Sequence, residues 1–159
     1  MAWLDDGNCQ DPRRYCIACN RPRRFRGVER LRLLLDTHVW IWSVLEPARV
    51  SQRVRKELGN PDNELWLSAV SVWEALALHS KRRAWLSNDP VAWVAQAASS
   101  LQEAPLTREI VAASYQLPFD HRDPADRFLA ATAGVLGLTL VTADRRLLGL
   151  GAIATLANR

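Results

Sequence analysis

Cysteine is confined to the first 19 residues of this chain, at Cys9, Cys16 and Cys19. Cys16 and Cys19 form a C-x-x-C pair, half of a zinc knuckle. The same stretch adds one more cysteine and no histidine, so a four-ligand site closes there only with His38 or a second chain. No apolar run approaches the roughly 20 residues of a membrane span. The opening MAWLDDGNCQ lacks both a basic n-region and an apolar h-region, so no signal peptide is expected. A cytoplasmic location is therefore the expectation. There are no repeats, no low-complexity tracts and no internal linker. No glycine-rich phosphate loop occurs, which removes the common nucleotide-cradling motifs.

The charge is unevenly placed. Residues 1–32 carry eight of the 21 basic residues and four of the 17 acids, leaving 13 of each in 33–159. The formal charge of +4 thus belongs to the N-terminal segment alone, and only that segment supports an electrostatic argument for nucleic acid. Residues 1–30 read as a basic, cysteine-containing extension, flexible or created by a start codon placed too far upstream, in preference to a zinc module. An RNA-contacting tail stays open. Residues 31–159 read as one domain, long enough for a sizeable core.

From residue 31 short apolar runs alternate with helical patterns. LRLLLD (31–36) predicts a strand, and 37–45 a helix that Thr37 can cap. Ser51 caps a polar helix stopped by Gly59, Asn60 and Pro61. ELWLS (64–68) is a strand, followed by a nearly all-apolar helix over 69–80 that should be buried. A helix over 89–101, a strand at 104–106 and a helix from Thr107 to about Gln116 come next. Helix 124–136, strand 138–142, a short helix at 144–148 and a strand at 152–156 complete the pattern. Such alternation predicts an α/β fold with a parallel sheet covered by helices on both faces. Most of the tryptophans at 40, 42, 66, 73, 85 and 93 are expected in the core.

Four acids stand inside apolar sequence: Asp36, Glu74, Asp126 and Asp144. A buried carboxylate is costly unless something positive neutralises it, and no matching set of apolar-embedded Lys or Arg exists. Oxygen ligands converging on a hard divalent cation, Mg²⁺ or Mn²⁺, explain all four together. Asp36 and Asp144 fall at or just past strand ends, where parallel sheets bind ligands. Either alone is as well explained as a helix cap, although Thr37 and Thr142 offer alternative caps. Glu74 has Val70, Ser71, Ala77 and Leu78 as helix neighbours, with no flanking charge to mark a solvated face. Asp123 precedes Pro124 and fits a cap, with a supporting role behind the metal ligands. Asp126 shares its stripe with Leu129, Ala130 and Ala133 and points inward, while Arg127 keeps the Asp123 sector polar. His121 and Arg122, in the preceding loop, are placed to meet phosphate. His38 is read first as a surface histidine and second as an RNA contact.

The combination of LLLDTHVW, SAVSVWEALAL, HRDPADRFLAATA and LVTADRRL resembles the PIN-domain ribonucleases, specifically the VapC-like toxins of bacterial toxin–antitoxin pairs. The resemblance covers roughly 31–159. It implies a three-layer α/β/α sandwich with a central parallel sheet and Mg²⁺- or Mn²⁺-dependent endoribonuclease activity on an RNA substrate. It also implies a cognate antitoxin and frequent homodimerisation. The family's catalytic, metal-binding acids carry over as Asp36, Glu74, Asp126 and Asp144, with Thr142 as a polar aid. The extension over 1–30 departs from the pattern.

Other classes stay in view. A haloacid-dehalogenase-type phosphatase needs a second Asp two residues after the first, and His38 stands there. A Toprim-type nuclease needs Asp-x-Asp, which is absent. A non-catalytic protein-binding module of the same fold, whose acids merely cap helices, remains the alternative, as does a nuclease of RNA processing rather than a toxin.

Overall fold

The computed structural model describes residues 30–117 and 123–159. The expected extension therefore lies outside the described residues except for Arg30, and His121 and Arg122 lie outside them entirely. Among the described residues no helix is long and apolar enough to cross a membrane.

The chain runs β1 (Arg32–Leu35), α1 (Thr37–Leu45), a 3₁₀ turn (Pro47–Arg49), α2 (Gln52–Leu58), β2 (Glu64–Ser68) and α3 (Ala69–Ser80). It continues through α4 (Pro90–Ala97), β3 (Gln102–Ala104), α5 (Arg108–Gln116), α6 (Pro124–Leu136), β4 (Thr139–Thr142), α7 (Arg145–Leu148) and β5 (Thr155–Ala157). All five strands are parallel, in the order β3-β2-β1-β4-β5. Strand β1 is central and buried on both faces, which is why it reads as unbroken leucine rather than as an alternation.

Its side chains divide between two cores. Leu33 and Leu35 join Val39 and Trp40 of α1 and Val54 of α2. Leu34 points the other way, to Leu129, Ala130 and Ala133 of α6 and Leu147 of α7. The two sets are the two faces of a pleated strand, and they make the expected α/β/α sandwich. Burying each leucine contributes about 1.5–3 kcal/mol.

Two asparagines tie loops to the sheet. Asn63 accepts from the Leu31 N–H (3.0 Å) and donates to the Glu57 carbonyl (2.9 Å). Asn158 accepts from the Ser51 N–H (2.6 Å) and donates to the Arg49 carbonyl (3.1 Å), fixing the turn before α2.

Several boundaries differ from the sequence expectation. Strand β3 lies over 102–104 rather than 104–106, because Pro105 has no N–H to extend the ladder. Helix α4 stops at Ala97, where Ser99 turns its hydroxyl onto the Gln96 carbonyl instead of continuing the spiral. Strand β5 starts at Thr155, after a turn in which the Ile153 N–H donates to the Leu150 carbonyl. Helix α3 is less buried than its composition suggests. Only Val70, Ser71 and Ala75 are fully enclosed, and Trp73 is 64% exposed. Of the six tryptophans only Trp40 is fully buried; Trp42, Trp66 and Trp93 are half-buried, and Trp85 is exposed like Trp73.

Candidate active site

The carboxyl ends of β1 and β4 lie side by side at the centre of the sheet, and the acids gather there. Asp36 directly follows β1, and its backbone N–H donates to the Val141 carbonyl (3.1 Å), extending the ladder by one bond. The residue is buried. One carboxylate oxygen, Oδ1, accepts from the His38 N–H (2.9 Å) and caps α1. The other, Oδ2, accepts from the Thr142 hydroxyl (2.5 Å). That hydroxyl in turn accepts from the Asp144 N–H (3.0 Å). One buried threonine thus fixes the carboxylate of Asp36 and the backbone of Asp144.

A second threonine does the same for Glu74. Thr37 is buried at the start of α1 and donates to Glu74 Oε2 (2.6 Å), bringing α3 to α1. Asp144 Oδ1 accepts from the Arg146 N–H (2.7 Å) and caps α7. Asp123 Oδ1 accepts from the Ala125 N–H (3.0 Å) with Pro124 at the first helical position, the expected cap of α6. Asp126 lies in the first turn of α6, half-buried on the stripe of Leu129, Ala130 and Ala133.

Asp36, Glu74, Asp126 and Asp144 line one cleft of about 390 Å³, with Asp123 and His38 beside them; Trp42 and Arg146 also line it. Four segments distant in sequence thus converge as expected. The His38 imidazole registers this convergence. Its pKa is raised, first by its hydrogen bond to Asp36 and, against the opposing effect of burial, by the charges of Asp36, Glu74 and Asp126. Its Nδ1 lies 3.8 Å from Asp36 Oδ1.

The donor set consists of carboxylate and hydroxyl oxygens, the ligand type of a hard divalent cation. Among the described residues no three His, Cys, Asp or Glu side chains are gathered as closely as an ion would hold them. Like-charged carboxylates without a cation between them repel. The fit to a divalent ion therefore rests on the chemistry of the donors and their shared cleft.

Two details correct the sequence reading. Thr37 and Thr142 do not relieve the acids of capping: Asp36 and Asp144 are themselves the caps, and the threonines hold Glu74 and Asp36 instead. Capping and site membership coexist because both draw acids to helix N-termini. The Arg127 guanidinium reaches the Ser114 carbonyl (2.5 Å) and binds α6 to the end of α5. Thr37 was missed as a site residue, and the available signal was its position: a threonine beside a strand-end aspartate has its hydroxyl where neighbouring acids arrive.

A PIN-domain family model matches residues 33–152. Ribonuclease VapC22 of Mycobacterium tuberculosis is 36% identical over 116 residues, covering 72% of this chain and 88% of that protein. Among solved structures, VapBC2 of Rickettsia felis, crystallised with a DNA fragment from its promoter, is similar with a TM-score of 0.64. It is 15% identical, covering 80% of this chain and 98% of its own. DNA-bound VapBC of Salmonella typhimurium is similar with a TM-score of 0.62 at 18% identity, covering 81% and 99%. These two likenesses concern the fold. The family model spans both threonines and all four acids, and this chain belongs to the PIN-domain family.

Proposed function

We propose that this protein is a divalent-metal-dependent endoribonuclease and the toxin of a toxin–antitoxin pair. The observation that carries the reading is the convergence of Asp36, Glu74, Asp126 and Asp144 on one cleft at the carboxyl end of the sheet. The identity with Ribonuclease VapC22 supports RNA as substrate.

Asp36, Asp126 and Asp144 would hold Mg²⁺ or Mn²⁺, and Glu74 would bind the ion or orient the attacking water. When bound, the ion activates water and offsets charge on the leaving oxygen. Thr142 keeps one oxygen of Asp36 fixed and holds the Asp144 backbone beside it, so neither acid must be ordered as substrate arrives. Thr37 fixes Glu74 in the same way. Asp123 orders the first turn of α6, on which Asp126 stands. Water adds to phosphorus and the bond to the 3′ oxygen breaks, so the products carry 5′-phosphate and 3′-hydroxyl ends.

The expected result is that excess EDTA abolishes RNA cleavage and Mg²⁺ or Mn²⁺ restores it, with end-group analysis returning 5′-phosphates. Cleavage persisting in EDTA overturns the metal mechanism, and 2′,3′-cyclic phosphates place the chemistry on the ribose hydroxyl. Failure to cut any RNA with Mn²⁺ present favours the non-catalytic binding module.

Partners follow from the same reading. An intensely negative cleft invites restraint by a cognate antitoxin that presents an Arg or Lys to the acids. A second copy of the chain is the proposed partner for an apolar pocket of about 350 Å³ that includes Val70, Trp73, Leu106 and Phe128. Light scattering should return twice the mass of one chain, and a monomer at micromolar concentration removes the homodimer.

A further inference from the structure

A second groove, of about 490 Å³, opens beside the acid cleft and shares His38, Trp42, Glu74 and Asp123 with it. Glu74 and Asp123 are shared with the acid cleft, whereas Glu46, Arg49, Arg83 and Trp85 belong to this groove alone. The Arg49 guanidinium carbon lies over the Trp42 ring, 4.0 Å from its centroid, and the His38 ring lies 5.8 Å from the Trp42 ring at a tilt of 54°. A ladder of planar groups, His38–Trp42–Arg49, therefore leads away from the buried acid Asp36. Trp85, which also lines the groove, is 70% exposed and lies 5.4 Å from the His79 ring. It follows the basic run Lys81–Arg82–Arg83. Arg82 is in the left-handed region (φ 54°) and is the one such non-glycine among the described residues. The turn is held because the Arg83 and Ala84 N–H groups both donate to the Leu78 carbonyl.

Resting on the ribonuclease reading, we propose that this groove is a stacking track for single-stranded RNA flanking the scissile phosphate. Trp42, Arg49 and Trp85 would stack on unpaired bases, and Arg83 would meet the backbone. Tryptophan rings and arginine planes accept any unpaired base, and guanidinium groups pair with phosphate. Glu46 pairs with Arg49 at 3.5 Å, an exposed contact that orients the guanidinium and leaves Arg83 as the cation for phosphate. The Asn158 side chain, bonded to the Arg49 carbonyl, sets the backbone from which Arg49 reaches Trp42. Continuity favours RNA over a protein helix: a strand whose phosphate lies at the acids must leave the cleft, and this groove shares a wall with it.

The test uses the full chain with a fluorescent single-stranded RNA oligonucleotide and a dinucleotide that spans only the cut. Trp85→Ala and Arg83→Gln, both at surface positions, should weaken oligonucleotide binding in EDTA by about tenfold each. They should raise KM for the oligonucleotide by a similar factor with kcat retained, and leave dinucleotide cleavage unchanged. Arg83→Gln should also reduce the slope of log affinity against log salt by about 0.7. Trp42→Phe should retain binding where Trp42→Ala loses it, which separates stacking from misfolding. Equal oligonucleotide affinity in all variants, or equal loss on the dinucleotide, overturns the track. So do variants that cut RNA normally but no longer bind the antitoxin, since the groove is then a protein dock. Absence of cleavage by the wild-type protein defeats the ribonuclease reading itself, a result distinct from all of these.

Discussion

Asp36→Asn should abolish RNA cleavage while the protein stays folded. The loss should exceed the roughly 10–100-fold that removal of a supporting partner costs at a metal site, because Asp36 is proposed to bind the ion itself. Asparagine still accepts from the His38 N–H and caps α1, so circular dichroism should be unchanged. Asp126→Asn should match it in cleavage assays. Asp123→Asn should be milder, since asparagine caps α6 as well as aspartate does. Expression of the wild-type chain alone should arrest growth, and expression of Asp36→Asn should not. An inactive Asp123→Asn beside an active Asp126→Asn would reverse the assignment within α6.

Thr142→Val should lower Mn²⁺ affinity by about 10–100-fold, measured by calorimetry without RNA. Valine matches threonine in shape but neither donates to Asp36 Oδ2 nor accepts from the Asp144 N–H. Two polar groups then lose their partner in a buried setting, and stability in EDTA should fall by about 1–3 kcal/mol. Thr142→Ser keeps the hydroxyl and should bind metal nearly as the wild type does. Unchanged affinity in the valine variant removes Thr142 from the site.

The fold was legible because local and global signals agree. The leucines of β1, the cap Ser51 and Thr107 at the start of α5 each mark a boundary that the structure keeps. Short edge strands were misplaced, since three residues carry little periodicity and their register is set by a neighbour: Ala104 pairs with Ser68 across β2 and β3. The four acids stood out by their apolar surroundings, and in the structure they line one cleft. What held them was not. A hydroxyl facing a carboxylate 37 residues away, as Thr37 faces Glu74, leaves no local trace in sequence. Nor does the Arg49–Trp42 stack, whose members lie on different helical segments.

Strand β1 is laid down early but is flanked on both sides by strands that come later. The hydroxyl that fixes Asp36 arrives 106 residues downstream. Closing so long a loop is an entropic cost met only when β4 adds to the sheet. A growing chain on the ribosome therefore carries its first acid for most of its synthesis without the groups that set it. On the proposed mechanism the acid cleft is complete only once β4 has joined the sheet, so a nascent chain should not cut RNA, and a partner present at that moment meets the site as it forms.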